Sequence, residues 1–300
     1  ELSVSWRDEI SGTKPLSYNF RFTLSDHRSH ITKFNNPTGL IDTYYEGMKV
    51  GEMWGFVNDG FFVDQEDIEN HADQSWIRVS AANTPLPGDI KFKDLNGDGV
   101  IDHGNSTLEE PGDRTIIGNT TPRYRFGFNA NFRWNNFFLS GFFQGIGKRD
   151  WMPTEDNSLF WGPYNRPYSH HPKEVVNNMW TEDNPDAYYP RLRGYTALNS
   201  RGQLTFNQTK YLQNAAYIRL KNLTIGYNIP QSMTSKVNIS NMRIYFSGEN
   251  LLTWSPMFKY TTNLDPENIE RSDPELASNR GQGMAYPILK TFSLGLDITF

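Results

Sequence analysis

The sequence predicts an all-β fold of about seven antiparallel strands, part of a transmembrane β-barrel with long loops on one rim. Three observations carry this expectation. Apolar and polar residues alternate over runs of about ten residues, the length that crosses hydrocarbon at a tilt. Aromatics make up 14% of the chain, with 20 Phe, 15 Tyr and 8 Trp, while Ala-Leu-Glu-Lys blocks suited to long helices are missing. Connections between the runs alternate strictly between short and very long.

The first hairpin pairs Leu2, Val4 and Trp6 with Leu16, Tyr18, Phe20, Phe22 and Leu24, and Gly12 to Pro15 turn between them. Ser17, Asn19, Arg21 and Thr23 take the opposite face. The next strand is the cleanest: Tyr124, Phe126, Phe128, Ala130, Phe132 and Trp134 alternate with Arg123, Arg125, Asn129, Asn131 and Arg133. Asn135-Asn136 then reverses the chain into Phe137 to Ile146. Tyr217 to Ile229 reads as a strand whose apolar phase slips between Leu220 and Leu223, as at a β-bulge. Met242 to Leu252 follows, and the last strand carries Phe292, Leu294, Leu296, Ile298 and Phe300 on one face.

Short turns join these strands on one rim, whereas residues 27–121, 150–212 and 253–288 form long connections on the other. A soluble sandwich has no reason to gather its long loops at one end. Outer-membrane barrels do so as a rule, with the long loops outside the cell. An even strand number is the bacterial norm, so further strands are expected before Glu1, and the chain reads as a piece of a longer protein. No apolar run is long enough for a transmembrane helix, which leaves strands as the spanning element. The net charge of −5, with both signs interspersed, excludes a phosphate-neutralising nucleic-acid binder. The absence of Cys excludes disulfides and Cys-ligated zinc.

Within the first long loop, Asp94, Asn96, Asp98, Val100 and Asp102 occupy alternate positions of a turn with Gly99 at its sixth place. This spacing lets side-chain oxygens and the Val100 carbonyl wrap a hard cation, so structural calcium is expected there. In the second loop, Trp151, Phe160, Trp161, Tyr164 and Tyr168 are candidate flat faces for stacking sugar rings or peptide side chains; the competing reading is loop packing. His27, His30 and His170-His171 lack a convergent third ligand. Glu109-Glu110 and Asp265 with Glu267 are acid pairs without a feature that fixes a catalytic separation, so no enzymatic activity is expected.

Several of these segments together resemble one family. Pro87 to Asp102, then Asp113-Arg114-Thr115-Ile116-Ile117-Gly118-Asn119 and the Tyr124-x-Phe126-Gly127-Phe128 strand, are similar to the C-terminal barrel region of SusC/RagA TonB-dependent outer-membrane transporters of Bacteroidetes. Gly51 to Phe56 with Asp59 to Phe62, Trp180 to Arg191, Tyr217 to Tyr227, and Arg243 to Trp254 agree in order. The resemblance implies a barrel of about 22 strands, of which residues 1–300 are the C-terminal portion, with a plug domain absent from these residues. It also implies TonB coupling through the missing N-terminal region and a SusD-like surface lipoprotein as lid. The implied activity is import of an oligosaccharide, or less favourably a peptide. The family's calcium-like loop closes on a carboxylate near the twelfth position, where this chain has Asn105; Gly104 to Gly112 reads as an insertion, and Asp113 is the matching carboxylate, with Glu109 and Glu110 as local substitutes. The rival reading is a soluble, calcium-stabilised β-sandwich that binds glycans.

Overall fold

A computed structural model of the chain describes residues 1–165, 167–168, 171–269 and 286–300. In chain order, β1 (Leu2–Ile10) and β2 (Leu16–Ser25) lead into a first loop that holds β3 (Glu52–Phe56), β4 (Asn58–Phe61), helix α1 (Gln65–Asn70), β5 (Ile90–Phe92) and β6 (Arg114–Asn119). Strands β7 (Arg123–Trp134) and β8 (Phe137–Lys148) follow. The second loop runs from β9 (Asp150–Trp151) to β10 (Gln213–Asn214), ahead of β11 (Tyr217–Asn228), β12 (Asn241–Trp254) and β13 (Thr291–Thr299).

Seven of these strands form one antiparallel sheet in the order β1-β2-β7-β8-β11-β12-β13. Its register explains the alternation. Val4 lies opposite Phe22, Phe22 opposite Phe128, Phe128 opposite Phe143, Phe143 opposite Leu220 and Leu220 opposite Leu252, so one face is apolar across six strands. Paired residues share a face because the side-chain period of a strand is two. Phe20 stacks on Phe128 at 6.0 Å between ring centroids and meets Phe132 edge-on at 5.4 Å. At the last strand the same face stands open, with Phe292, Leu294 and Leu296 exposed.

On the opposite face one register row reads Arg7, Asn19, Asn131, Ser140, Thr224, Ser247, Ser293, a polar residue from every strand. Ser140 donates to Asn131 Oδ1 at 2.7 Å, and the Thr224 and Ser247 hydroxyls lie 3.0 Å apart. Aromatics that intrude here are matched to glycines. Phe138 pairs with Gly226 and Tyr245 with Gly295; a Cβ on either glycine would overlap the facing ring. The Arg243 guanidinium stands 5.5 Å from both ring centroids and its Nε donates to Asp297 at 2.9 Å. The expected bulge in β11 is present as a register shift between Leu220 and Asn222 against both neighbours.

This sheet overturns the sandwich alternative. A sandwich covers the apolar face of one sheet with another, whereas among the described residues the remaining sheets are two-stranded ribbons within the loops. The apolar face is open, as lipid contact requires.

Candidate functional site

The long loops fold together into a body with its own hydrophobic core on one rim of the sheet. Phe56, Ile77, Ile90, Phe92, Ile101, Phe160, Tyr164, Tyr189, Tyr211 and Ile269 are all buried in it, so residues from all three loops share one interior. Tyr188 of the second loop stacks on Tyr260 of the third at 3.6 Å, with ring planes 5° apart.

First and second loops join at the Pro87-Gly88-Asp89 turn. Gly88 has φ of +90°, and its missing side chain makes room for the Trp180 ring. The Arg191 amide donates to the Gly88 carbonyl at 2.8 Å, its Nε donates to the Pro87 carbonyl at 2.6 Å, and its guanidinium lies 4.3 Å from the Trp180 ring centroid. Fully buried Asp89 accepts from the Leu86 amide at 2.9 Å and from Gln203 Nε2 at 3.1 Å, with Arg193 Nε at 3.8 Å. Gln203 Oε1 in turn accepts from the Ile90 amide at 2.8 Å.

Burial holds the Asp89 carboxyl above the ordinary carboxylate value, against the hydrogen bonds and Arg193. The folded state therefore favours the neutral acid. Its stabilising contribution is complete below 3.8 and is lost as pH rises through the elevated value. Asp89→Asn, which mimics the neutral form, is expected to flatten that part of the pH dependence of loop stability. Hydrogen exchange at the Leu86 amide between pH 4 and 7 checks this, and parallel pH profiles for the two proteins refute it.

The calcium-like turn is held by its own side chains. Asp94 accepts from the Gly97 and Gly99 amides at 2.6 and 2.9 Å, Asn96 Nδ2 donates to Asp98 at 2.9 Å, and Asp98 accepts from the Val100 amide at 2.8 Å. Asp102 accepts from the Gly104 amide at 2.7 Å. Fully buried Asp113 accepts from the Leu95 amide at 2.7 Å and the Asp102 amide at 2.9 Å, which closes the turn across the insertion. Desolvation raises the Asp113 carboxyl and nearby Asp94 raises it further, while backbone donors lower Asp94. The donor set is all oxygen, as a hard cation needs. Among the described residues, no three acidic or His side chains converge into a metal cage. Asn105 is engaged with Glu110 rather than with Asp94.

The candidate stacking residues fare differently. Trp151, Phe160, Trp161 and Tyr164 are buried in the loop core, so their rings have no open face; Tyr168 alone of the five is exposed, at 80%. Aromatic abundance marks the loop body's interior here. His170 lies outside the described residues, as do parts of the second and third loops.

One site had only half a signal in the sequence. Arg219, on the polar face of β11, is buried and donates to Asp265 at 2.6 Å, Glu267 at 2.7 Å and Thr253 Oγ1 at 2.8 Å. Lys221 adds a contact to Glu267 at 3.1 Å. Asp265 also accepts from the Glu267 and Ile288 amides, both at 3.0 Å, so it clasps the two sides of the third loop's neck. The acid pair Asp265 and Glu267 was visible in the sequence, but its cationic partner was not.

Comparison with known proteins agrees with this arrangement. No protein-family model matches the chain. It is 31% identical over 258 residues to TonB-dependent receptor P3 of Formosa agariphila, covering 85% of this chain and 22% of that protein. The chain belongs to the TonB-dependent receptor family. It is also 22% identical over 320 residues to TonB-dependent receptor SusC of Bacteroides thetaiotaomicron, covering 100% of this chain and 26% of that one. Among solved structures, the RagAB peptide transporter superposes with a TM-score of 0.61 at 21% identity, over 99% of this chain and 28% of that chain. This receptor segment thus spans about a quarter of the length of the relatives it matches. Its seven-stranded sheet is a piece of an outer-membrane barrel wall, and the loop body stands on one rim of it.

Proposed function

We propose that this receptor segment is the C-terminal barrel portion of an outer-membrane importer, with the loop body outside the cell as part of the mouth through which a nutrient enters. The observation that carries the reading is the likeness to TonB-dependent receptor P3 over 85% of the chain. The apolar outward face and the polar row Arg7, Asn19, Asn131, Ser140, Thr224, Ser247, Ser293 support a lipid-facing wall around a hydrated lumen. TonB supplies energy through another part of the receptor, and a SusD-like lipoprotein covers the loops.

The favoured cargo is an oligosaccharide, with a peptide second. The RagAB neighbour transports peptides, but a 21% likeness is one of fold and does not select the cargo. Deleting the full-length gene and following uptake of labelled oligosaccharides and peptides tests both. Loss of oligosaccharide uptake alone is the expected result, loss of peptide uptake alone transfers the reading to peptides, and unchanged uptake of both overturns it.

Structural calcium belongs to the same proposal, with Asp94, Asn96, Asp98, Val100, Asp102 and Asp113 as ligands. The adjacent carboxylates of Asp94 and Asp113 support it, because a cation there offsets their repulsion. Asp113→Ala in the full-length receptor is expected to abolish calcium-dependent protection of residues 94–113 from protease. Protection that persists unchanged assigns the closing ligand elsewhere.

A further inference from the structure

One feature without an assigned role is a cleft of about 480 Å³ between the base of the first loop and the loop-side ends of β2, β7 and β8. Cations dominate its lining: Arg28, Lys49, Arg123 and Lys148, with His27 beside them. The carboxylates nearby are already engaged. Asp26 holds Arg123 through a two-point ion pair. Glu52 accepts from the Tyr45 hydroxyl at 2.6 Å and has Lys49 at 4.0 Å. Asp150 accepts from the Asn119 amide at 2.9 Å.

Arg28 and Lys148 are left without a carboxylate partner among the described residues, although they line one concavity in a chain whose net charge is −5. Two cations that share a cleft repel each other, and an anion between them removes that repulsion with charge-assisted hydrogen bonds. The rest of the lining is not purely polar. Ile116 and Tyr124 are 46% and 42% exposed.

We propose that this cleft binds a phosphate or sulfate group between Arg28 and Lys148. Arg123 is held by Asp26 at the cleft's edge, so Arg28 and Lys148 supply the charge that an anion would meet. The group comes either from the headgroup of an outer-leaflet lipid, whose acyl portion Ile116 and Tyr124 suit, or from a soluble anion. The site is separate from import: loss of anion binding with normal uptake leaves the importer reading intact, and the converse leaves this site intact.

The test uses the full-length receptor purified in detergent, as wild type, as Arg28→Glu with Lys148→Glu, and as the charge-conserving Arg28→Lys with Lys148→Arg. Probes are inorganic phosphate and sulfate, read by line broadening or thermal shift, and lipid A in phosphatidylcholine nanodiscs, read by native mass spectrometry. Charge reversal is expected to weaken at least one probe by roughly tenfold, with the charge-conserving pair within about threefold of wild type. Binding of lipid A without the free anions identifies a lipid source; binding of the free anions in detergent identifies a soluble one. Failure of wild type to bind any probe overturns the proposal, as does charge reversal that changes no affinity. If the reversed receptor does not fold, as judged by loss of its heat-modifiable band, Arg28→Gln and Lys148→Gln are read singly against the same outcomes.

Discussion

Arg219→Leu is expected to detach the third loop from the barrel wall, at a cost of about 3–5 kcal/mol, because it strands buried Asp265 without its cation and leaves Glu267 with Lys221 alone. The side chains of Arg219 and Asp265 are 4% and 6% exposed, so water cannot replace the lost partner cheaply. Asp265 holds the Glu267 and Ile288 amides as well, so a shift of its carboxylate loosens both sides of the loop's neck together. The expected readout is rapid protease cleavage on the C-terminal side of β12, while the barrel keeps its heat-modifiable migration. Adding Asp265→Asn and Glu267→Gln to Arg219→Leu removes the stranded charges and is expected to recover much of the loss, as when a whole buried ion pair is neutralised. If the triple variant is as protease-sensitive as the sum of its parts, or if Arg219→Leu cuts no faster than wild type, the clasp is not what holds the loop.

The barrel wall was legible in the sequence because each of its strands faces two solvents. Phe126, Phe128, Phe132 and their cross-strand partners must meet lipid while Asn129 and Asn131 meet water, which imposes a period of two on every strand. Even the bulge at Leu220 was readable, since one extra residue inverts the phase that follows it. The loops impose no such period. Trp161 and Tyr164 look like Tyr168 in sequence, yet the first two are buried and the third is exposed, because burial there depends on contacts between segments far apart in the chain. Arg219 and Asp265 are 46 residues apart and belong to different elements, so only the folded chain unites them. The calcium-like turn was legible for the opposite reason. Its amide bonds to Asp94 and Asp98 are local, and local hydrogen bonding leaves a fixed spacing.

Gly88→Ala tests whether the Pro87-Gly88-Asp89 turn is the joint between the first two loops, and it is expected to destabilise that joint by about 2–4 kcal/mol. Two separable effects contribute. The +90° φ at position 88 disfavours any side chain, at about 1–2 kcal/mol, whatever surrounds it. The new Cβ would also lie 2.7 Å from Trp180 Cε2, an overlap that either moves the ring or moves the turn. Movement of the ring disturbs the Arg191 guanidinium stacked on it; movement of the turn breaks the Arg191 amide bond to the Gly88 carbonyl. Both routes loosen the same joint, so hydrogen exchange at the Arg191 amide, which donates across it to the Gly88 carbonyl, reports the loss directly. Trp180→Ala separates the two effects. In that background the overlap is gone, and Gly88→Ala is expected to cost only the backbone share of about 1–2 kcal/mol. Equal losses in both backgrounds would mean that the ring does not constrain the turn, and that the hydrogen bonds of Arg191 and Gln203 to the turn hold the joint without it.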